Sequence, residues 1–188
     1  TARDHVTGDA VVIQDADLEY SPLEFPGMLA ILAEGRAEAV YGSRYSGTEI
    51  LVETFWHYMG NKLLTTFSNV LSNLHLTDME TCYKMVRTEL LQSLPLSAQR
   101  FGIEPELTAR LAQAHARIYE LPISYNGRSY SEGKKINWKD GFAALWYIFR
   151  SNFLAPKATP WAPPAVVPWE AREVASGSNS PPREEPGS

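Results

Sequence analysis

The apolar run Ala10-Val11-Val12-Ile13, followed by Gln14, passes into Asp15-Ala16-Asp17-Leu18-Glu19 with no turn residue between them. A short run rich in β-branched residues predicts a buried strand, and a strand buried on both faces belongs to a sheet covered by helices. Acids emitted at the carboxyl end of such a strand open into the crevice where open α/β sheets collect their ligands. In an extended segment, residues at i, i+2 and i+4 project to one side, so Asp15, Asp17 and Glu19 are candidate oxygen ligands. Hard cations such as Mg²⁺ and Mn²⁺ use one or two carboxylates together with substrate phosphates, which makes a diphosphate leaving group the expected cargo. Taken alone, the Asp-x-Asp triplet reads equally as a solvated strand end.

The segments downstream extend the α/β pattern. Ser21-Pro22 leads into a helix whose apolar positions Phe25, Met28, Leu29 and Leu32 keep helical spacing until Gly35. Ala39-Val40-Tyr41 is the next strand, and Gly42-Ser43-Arg44-Tyr45 follows it. Strand, helix, strand is a βαβ unit and implies a mainly parallel sheet, with Arg44 on the same rim as the acids. Thr54 caps a long helix through Asn73, whose stripe of Leu63, Leu64, Phe67, Val70, Leu71 and Leu74 serves core packing. Asp78 and Glu80 then stand beside an alternating strand, Cys82 to Val86.

Glu104-Pro105-Glu106 opens a helix bearing Leu107, Leu111 and Ala114, where the two acids complement the helix dipole. Ile118 to Ile123 reads as a strand containing Glu120. The glycine-punctuated loop from Tyr125 to Lys135 carries Arg128, Lys134 and Lys135 and suits an anion or an anionic membrane surface, although such residues also serve solubility. Trp138 to Phe153 forms a last helix, with Phe142, Leu145, Trp146, Phe149 and Phe153 available to pack or to meet an interface. Residues 156–188, rich in Pro, Ser, Gly and Glu, read as a disordered tail in which Trp161 and Trp169 are recognition elements. The organisation is one domain over 1–155 followed by that tail.

Composition narrows the function classes. With 188 residues and 44% hydrophobic content the chain supports one core. A net charge of −5 argues against a nucleic-acid binder working through its overall field. The single cysteine, Cys82, excludes an internal disulfide framework and fits a reducing compartment. No apolar stretch reaches the ~20 residues of a transmembrane helix, and the visible chain reads as soluble or peripheral; the expected location is cytoplasmic, peripheral at the cytoplasmic face of a membrane.

Together these segments resemble family 2 glycosyltransferases of the GT-A fold, in particular the dolichol-phosphate mannose synthase and polyprenyl-phosphate glycosyltransferase group. The likeness rests on Gln14 to Tyr20, Val40 to Arg44, Leu76-Thr77-Asp78 with Cys82-Tyr83-Lys84, Arg100 to Glu106, Glu120 to Tyr125, and Gly133 to Ile136 with Asp140-Gly141. It implies a partial, Rossmann-like GT-A domain, with a mainly parallel sheet flanked by helices, that transfers a sugar from a nucleotide-diphosphate donor, with inversion, to a polyprenyl or dolichyl phosphate. By the same resemblance Asp15 lies near nucleotide and metal, Asp17 and Glu19 bind Mg²⁺ or Mn²⁺, and Arg44, Arg128, Lys134 and Lys135 face phosphates of donor or lipid acceptor. The family opens with a strand and loop that read the nucleotide base and ribose. Thr1 follows no such segment, so a missing N-terminal portion and weak activity are expected.

A lipid monophosphate is substantially anionic at neutral pH and needs no strong base, whereas a hydroxyl acceptor requires one, for which Asp78 and Glu80 are the candidates. Two other readings stay open: a nucleotidyltransferase, and an interaction module that docks a partner through its proline-rich tail.

Overall fold

The computed structural model describes residues 2–16, 19–52, 54–98, 102–127 and 138–162. Its four strands are β1 (Ala10–Ile13), β2 (Ala39–Ser43), β3 (Lys84–Arg87) and β4 (Ile118–Pro122). Five helices accompany them: α1 (Phe25–Ala33), α2 (Phe55–Ser72), α3 (Thr88–Ser93), α4 (Ile103–Gln113) and α5 (Trp138–Phe153).

The strands form one sheet in the order β1-β3-β2-β4. β3 runs antiparallel to both β1 and β2, and β2 pairs in parallel with β4, Tyr41 standing opposite Glu120. β1, β2 and β4 therefore all run the same way, as the strand–helix–strand order predicts. Direct parallel pairing of β1 with β2 is nonetheless replaced, because β3 is inserted between them and makes the sheet mixed. The functional consequence is geometric: the carboxyl ends of β1, β2 and β4 and the approach to β3 share one rim.

Alternation along the strands divides the core between the two faces of the sheet. Val11, Ile13, Ala39, Tyr41 and Val86 meet Leu107, Leu111 and Ile148 of α4 and α5 and the half-buried Leu64, Phe67 and Leu71 of α2. Val12, Val40 and Met85 meet Met28, Ile31 and Leu32 of α1 on the other face. β2 lies between two neighbours and two helix layers, and all five of its residues are buried.

Helix ends follow local chemistry. α1 stops where Gly35 takes φ 70°, and the Arg36 amide donates back to the Ile31 carbonyl. α2 ends the same way on Asn73 at φ 52°, a left-handed conformation that Asn tolerates better than most residues. Thr54 does occupy the N-cap of α2, but its hydroxyl makes no capping hydrogen bond. Leu63 and Val70, assigned to the packed stripe, face solvent, as does Leu29 of α1. The stretch after α5 is partly built into the core: the Trp161 amide donates to the Ala114 carbonyl, and its side chain packs beside α4. Trp161 is thus a core contact, while Trp169 lies outside the described residues.

Gly42, next to last in β2, has no room for a side chain. A Cβ there would lie 2.7 Å from Cδ1 of Ile123 and 3.0 Å from Cβ of Tyr83. Gly42→Ala is expected to lower stability by about 1–3 kcal/mol through overpacking, measured by urea denaturation. An unchanged midpoint would show that this contact relaxes freely.

Candidate active site

Four segments meet on the rim: the chain leaving β1, the loop leaving β2, the loop leaving β4 and the turn entering β3. Between the first three lies a cavity of about 770 Å³, lined by Glu19, Tyr20, Glu24, Arg44, the 46–51 loop and Pro122 to Asn126.

Arg44 is the best-defined group of this rim. Its Nε and Nη2 donate to Oδ2 and Oδ1 of Asp78 at 2.7 and 2.8 Å, and its backbone amide donates to Oδ2 at 3.1 Å. The guanidinium also lies over the rings of Tyr45 and Tyr125, 5.4 and 5.3 Å from their centroids. Asp78 is fully buried and the Arg44 side chain is 9% exposed. Burial opposes the arginine's charge, but the bonds to Asp78 outweigh it and hold the pKa well above the ordinary range. The fork leaves the Nη1 edge unused by Asp78, and Arg44 is among the residues that line the cavity. Removing one partner alone would strand a buried charge at a cost of about 3–5 kcal/mol.

This arrangement changes the reading of Asp78. With both oxygens bonded to one guanidinium and no exposure, it acts as a clamp on Arg44. Glu80 is different. Its Oε1 is buried without a hydrogen-bond partner. Burial, reinforced by Glu104 and opposed by Lys84, pushes its pKa up from 4.5 to about 7. Glu104, read from the sequence as a dipole partner, faces this cluster, and burial raises its pKa as well. Beneath them Lys84 is fully buried, its Nζ donating to the carbonyls of Met79 and Thr81 and standing 4.9 Å from the centroid of the Tyr41 ring. Burial lowers its pKa.

The acids after β1 depart from the extended ladder assumed for them. β1 ends at Ile13 and Ala16 already lies in a turn. Asp15 remains on the exposed rim, with its Oδ2 accepting the Cys82 thiol at 2.7 Å. Glu19 accepts the Tyr125 hydroxyl at 3.0 Å, so its carboxylate and that of Asp15 engage different partners. Asp17 lies outside the described residues, as do Arg128, Lys134 and Lys135. Among the described residues no group of three His, Cys, Asp or Glu side chains converges on a metal position. Asp15 still offers a hard oxygen donor of the kind a divalent ion uses alongside substrate phosphates, so the chemistry of the rim fits such an ion.

The role of Tyr20 comes from packing. It stacks on Tyr83 at 4.8 Å and contacts Tyr125 at 5.3 Å, making an aromatic floor beside the cavity. Glu106, also read as a dipole partner, is a buried acceptor for the Ser97 and Ala98 amides and is paired with Arg110.

A mixed α/β sheet flanked by helices, with acids, an arginine and a cavity on one rim, is similar to the GT-A glycosyltransferase domain that the sequence resembles. The fold is similar to that of glucosyl-3-phosphoglycerate synthase from Mycobacterium tuberculosis in complex with phosphoglyceric acid, with a TM-score of 0.53 and 17% identity over 82% of this chain and 54% of that one. Residues 1–94, half of the sequence, match the family described as Glycosyl transferase family 2, and the chain belongs to that family. It is 28% identical over 150 residues to the low-salt glycan biosynthesis hexosyltransferase Agl6 of Haloferax volcanii, covering 78% of this chain and 36% of the relative. Against the undecaprenyl-phosphate mannosyltransferase of Micrococcus luteus it is 28% identical over 130 residues, 67% of this chain and 53% of that protein. The chain thus spans about half or less of the length of these two relatives.

Because Glu80 binds its proton more tightly when folded, its contribution to stability is full below pH 4.5 and is lost as the pH rises through about 7. Glu80→Gln is therefore expected to be more stable than the parent at pH 8, by on the order of 1–3 kcal/mol, with the gain vanishing near pH 4. Urea denaturation at the two pH values checks this, and a gain independent of pH would contradict it.

Proposed function

We propose that this chain carries the acceptor-side machinery of a polyprenyl-phosphate glycosyltransferase, which moves a sugar with inversion from a nucleotide-diphosphate donor to a polyprenyl or dolichyl phosphate. The observation that carries the reading is the clamped Arg44, presented into a cavity large enough for a phosphorylated headgroup. The relationship to an undecaprenyl-phosphate mannosyltransferase supports the acceptor class.

In this reading a phosphate oxygen of the acceptor attacks the anomeric carbon from the face opposite the donor diphosphate. The new C–O bond forms as the bond to the diphosphate breaks, and the nucleoside diphosphate leaves with that electron pair. An anionic phosphomonoester carries its own nucleophile, so the chain's task is to orient it and to offset its charge. Arg44 does this from the cavity wall, and Arg128, Lys134 and Lys135, which follow β4 in the sequence, would add positive charge. Asp15 and Asp17 would hold a Mg²⁺ or Mn²⁺ ion, which when bound offsets charge on the departing diphosphate.

A hydroxyl acceptor is the second reading, favoured by the buried, partnerless Oε1 of Glu80 and its pKa near neutrality. There Glu80 would accept the hydroxyl proton as general base.

A polyprenyl acceptor must be met at a bilayer, and the surface suits that. Among the described residues no helix is long and apolar enough to cross a membrane. Instead Phe142, Trp146, Phe149 and Phe153, spaced by four, three and four, expose one aromatic face of α5. Trp56 and Val52, near the start of α2, are 82% and 93% exposed, close in sequence to Ile50 and Leu51 on the cavity wall. Aromatic residues on a helix face favour the interface between headgroups and acyl chains, which supports a peripheral membrane position for the protein.

Titration of the parent chain with citronellyl phosphate, a soluble prenyl monophosphate, followed by calorimetry, tests the reading. The double variant Arg44→Gln/Asp78→Asn removes both charges and leaves no buried ion unpaired. It is expected to bind at least about tenfold more weakly. A parent that does not bind, or a double variant that binds as well as the parent, would contradict the reading.

A further inference from the structure

The stretch between α2 and β3 has no regular secondary structure where it passes the site, yet four successive backbone donors in it are met by side chains. The Leu76 amide donates to Oδ1 of Asn69 at 3.0 Å, and the Met79 amide to Oγ1 of Thr65 at 3.1 Å. Between them the Thr77 amide donates to Oε2 and Oε1 of Glu120 at 2.8 and 3.0 Å, and the Asp78 amide to Oε1 at 3.2 Å. The Thr77 hydroxyl pairs with that of Ser43 at 2.6 Å, and Ser43 in turn accepts the Tyr45 amide. A loop with four successive donors received has little freedom to re-aim its side chains there.

We propose that Glu120 of β4 is a positioning residue for Arg44, acting through the Thr77-Asp78 backbone. Register places Glu120 opposite Tyr41, on the sheet face shared with Ile118, so its carboxylate rises beside the end of β2. From there it receives the backbone of the residue whose own carboxylate grips Arg44. The order of dependence is Glu120, the amides of Thr77 and Asp78, the Asp78 carboxylate, and the guanidinium. β4 thereby helps to set the direction in which a residue leaving β2 presents its donors to the cavity. Asn69 and Thr65 fix the two ends of the loop from α2. Glu120 alone receives the amide of Asp78, so it governs the rotation of the clamp.

The consequence for binding rests on the proposed role of Arg44 toward a phosphate, whereas the positioning itself does not. The test therefore has two arms. In the first, the Arg44 Nε–H resonance of the ¹⁵N-labelled chain is followed by NMR. In the parent it is expected to exchange slowly with solvent, and in Glu120→Gln, whose amide group cannot accept on both sides, at least about tenfold faster. Exchange at the core amides of Val40 and Tyr41 is expected to stay at the parental rate. Should that variant fail to fold, Glu120→Asp, one methylene short of the loop, is read in the same way. An Arg44 signal unchanged in shift and exchange in a folded variant overturns the proposal.

In the second arm, Glu120→Gln is expected to weaken citronellyl phosphate binding by about tenfold in the parent background and to have no further effect beside Arg44→Gln/Asp78→Asn. Equal losses in both backgrounds overturn action through Arg44. A parent chain that binds no citronellyl phosphate overturns the acceptor reading, while faster Arg44 exchange in the variant still supports the positioning role.

Discussion

The buried ion pair between Arg44 and Asp78 joins three parts of the chain that are far apart in sequence. Arg44 leaves β2, Asp78 belongs to the loop entering β3, and Glu120 of β4 receives that loop's backbone. In a medium from which water is excluded, neither charge survives without the other, so the loop and the strand end fold as one unit. The cavity wall on this side depends on that unit, because Tyr125 and Tyr45 lie against the guanidinium it fixes. The mixed sheet is what makes the arrangement possible. Inserting β3 antiparallel between β1 and β2 brings the start of one strand to the rim where three others end.

A second electrostatic layer lies below the first. Lys84 is a buried cation, and Glu80 and Glu104 above it are acids whose charge burial disfavours. Asp15, beside this group through its bond with Cys82, stays on the exposed rim. The rim thus separates a cationic donor fixed by packing from carboxylates graded by exposure. Such a division suits a reaction in which one anion is oriented while negative charge grows on another. In the proposed reading the apolar outer faces of α2 and α5 add a direction, since a lipid-linked acceptor would be met from a defined side.

Much of this was legible in the sequence wherever the signal is local. The strand runs at Ala10–Ile13, Ala39–Tyr41 and Ile118–Ile123 and the periodicity of α1 and α4 all mark real elements, because burial imposes a period within a few residues. The insertion of β3 was not legible, since strand order depends on pairing between distant segments and leaves no period. α3 has only six residues, too short to show one. Asp78 was visible as an acid beside a strand, but its engagement by an arginine 34 residues away was not. Glu106 and Trp161 were misread for the same reason: an acid in the first turn of a helix and a tryptophan among prolines look solvent-facing until their partners are placed.

The central claim is that the clamped arginine and the cavity beside it form a phosphate-binding site. It is tested most directly by mapping where citronellyl phosphate perturbs the amide and Arg Nε resonances of the ¹⁵N-labelled chain. The account predicts saturable shifts centred on Arg44 and Tyr45, the 46–51 loop and Ser124 to Asn126, the segments that enclose the cavity. Shifts confined to the outer faces of α2 and α5, with Arg44 unmoved, would show that the prenyl chain alone is recognised and would contradict it.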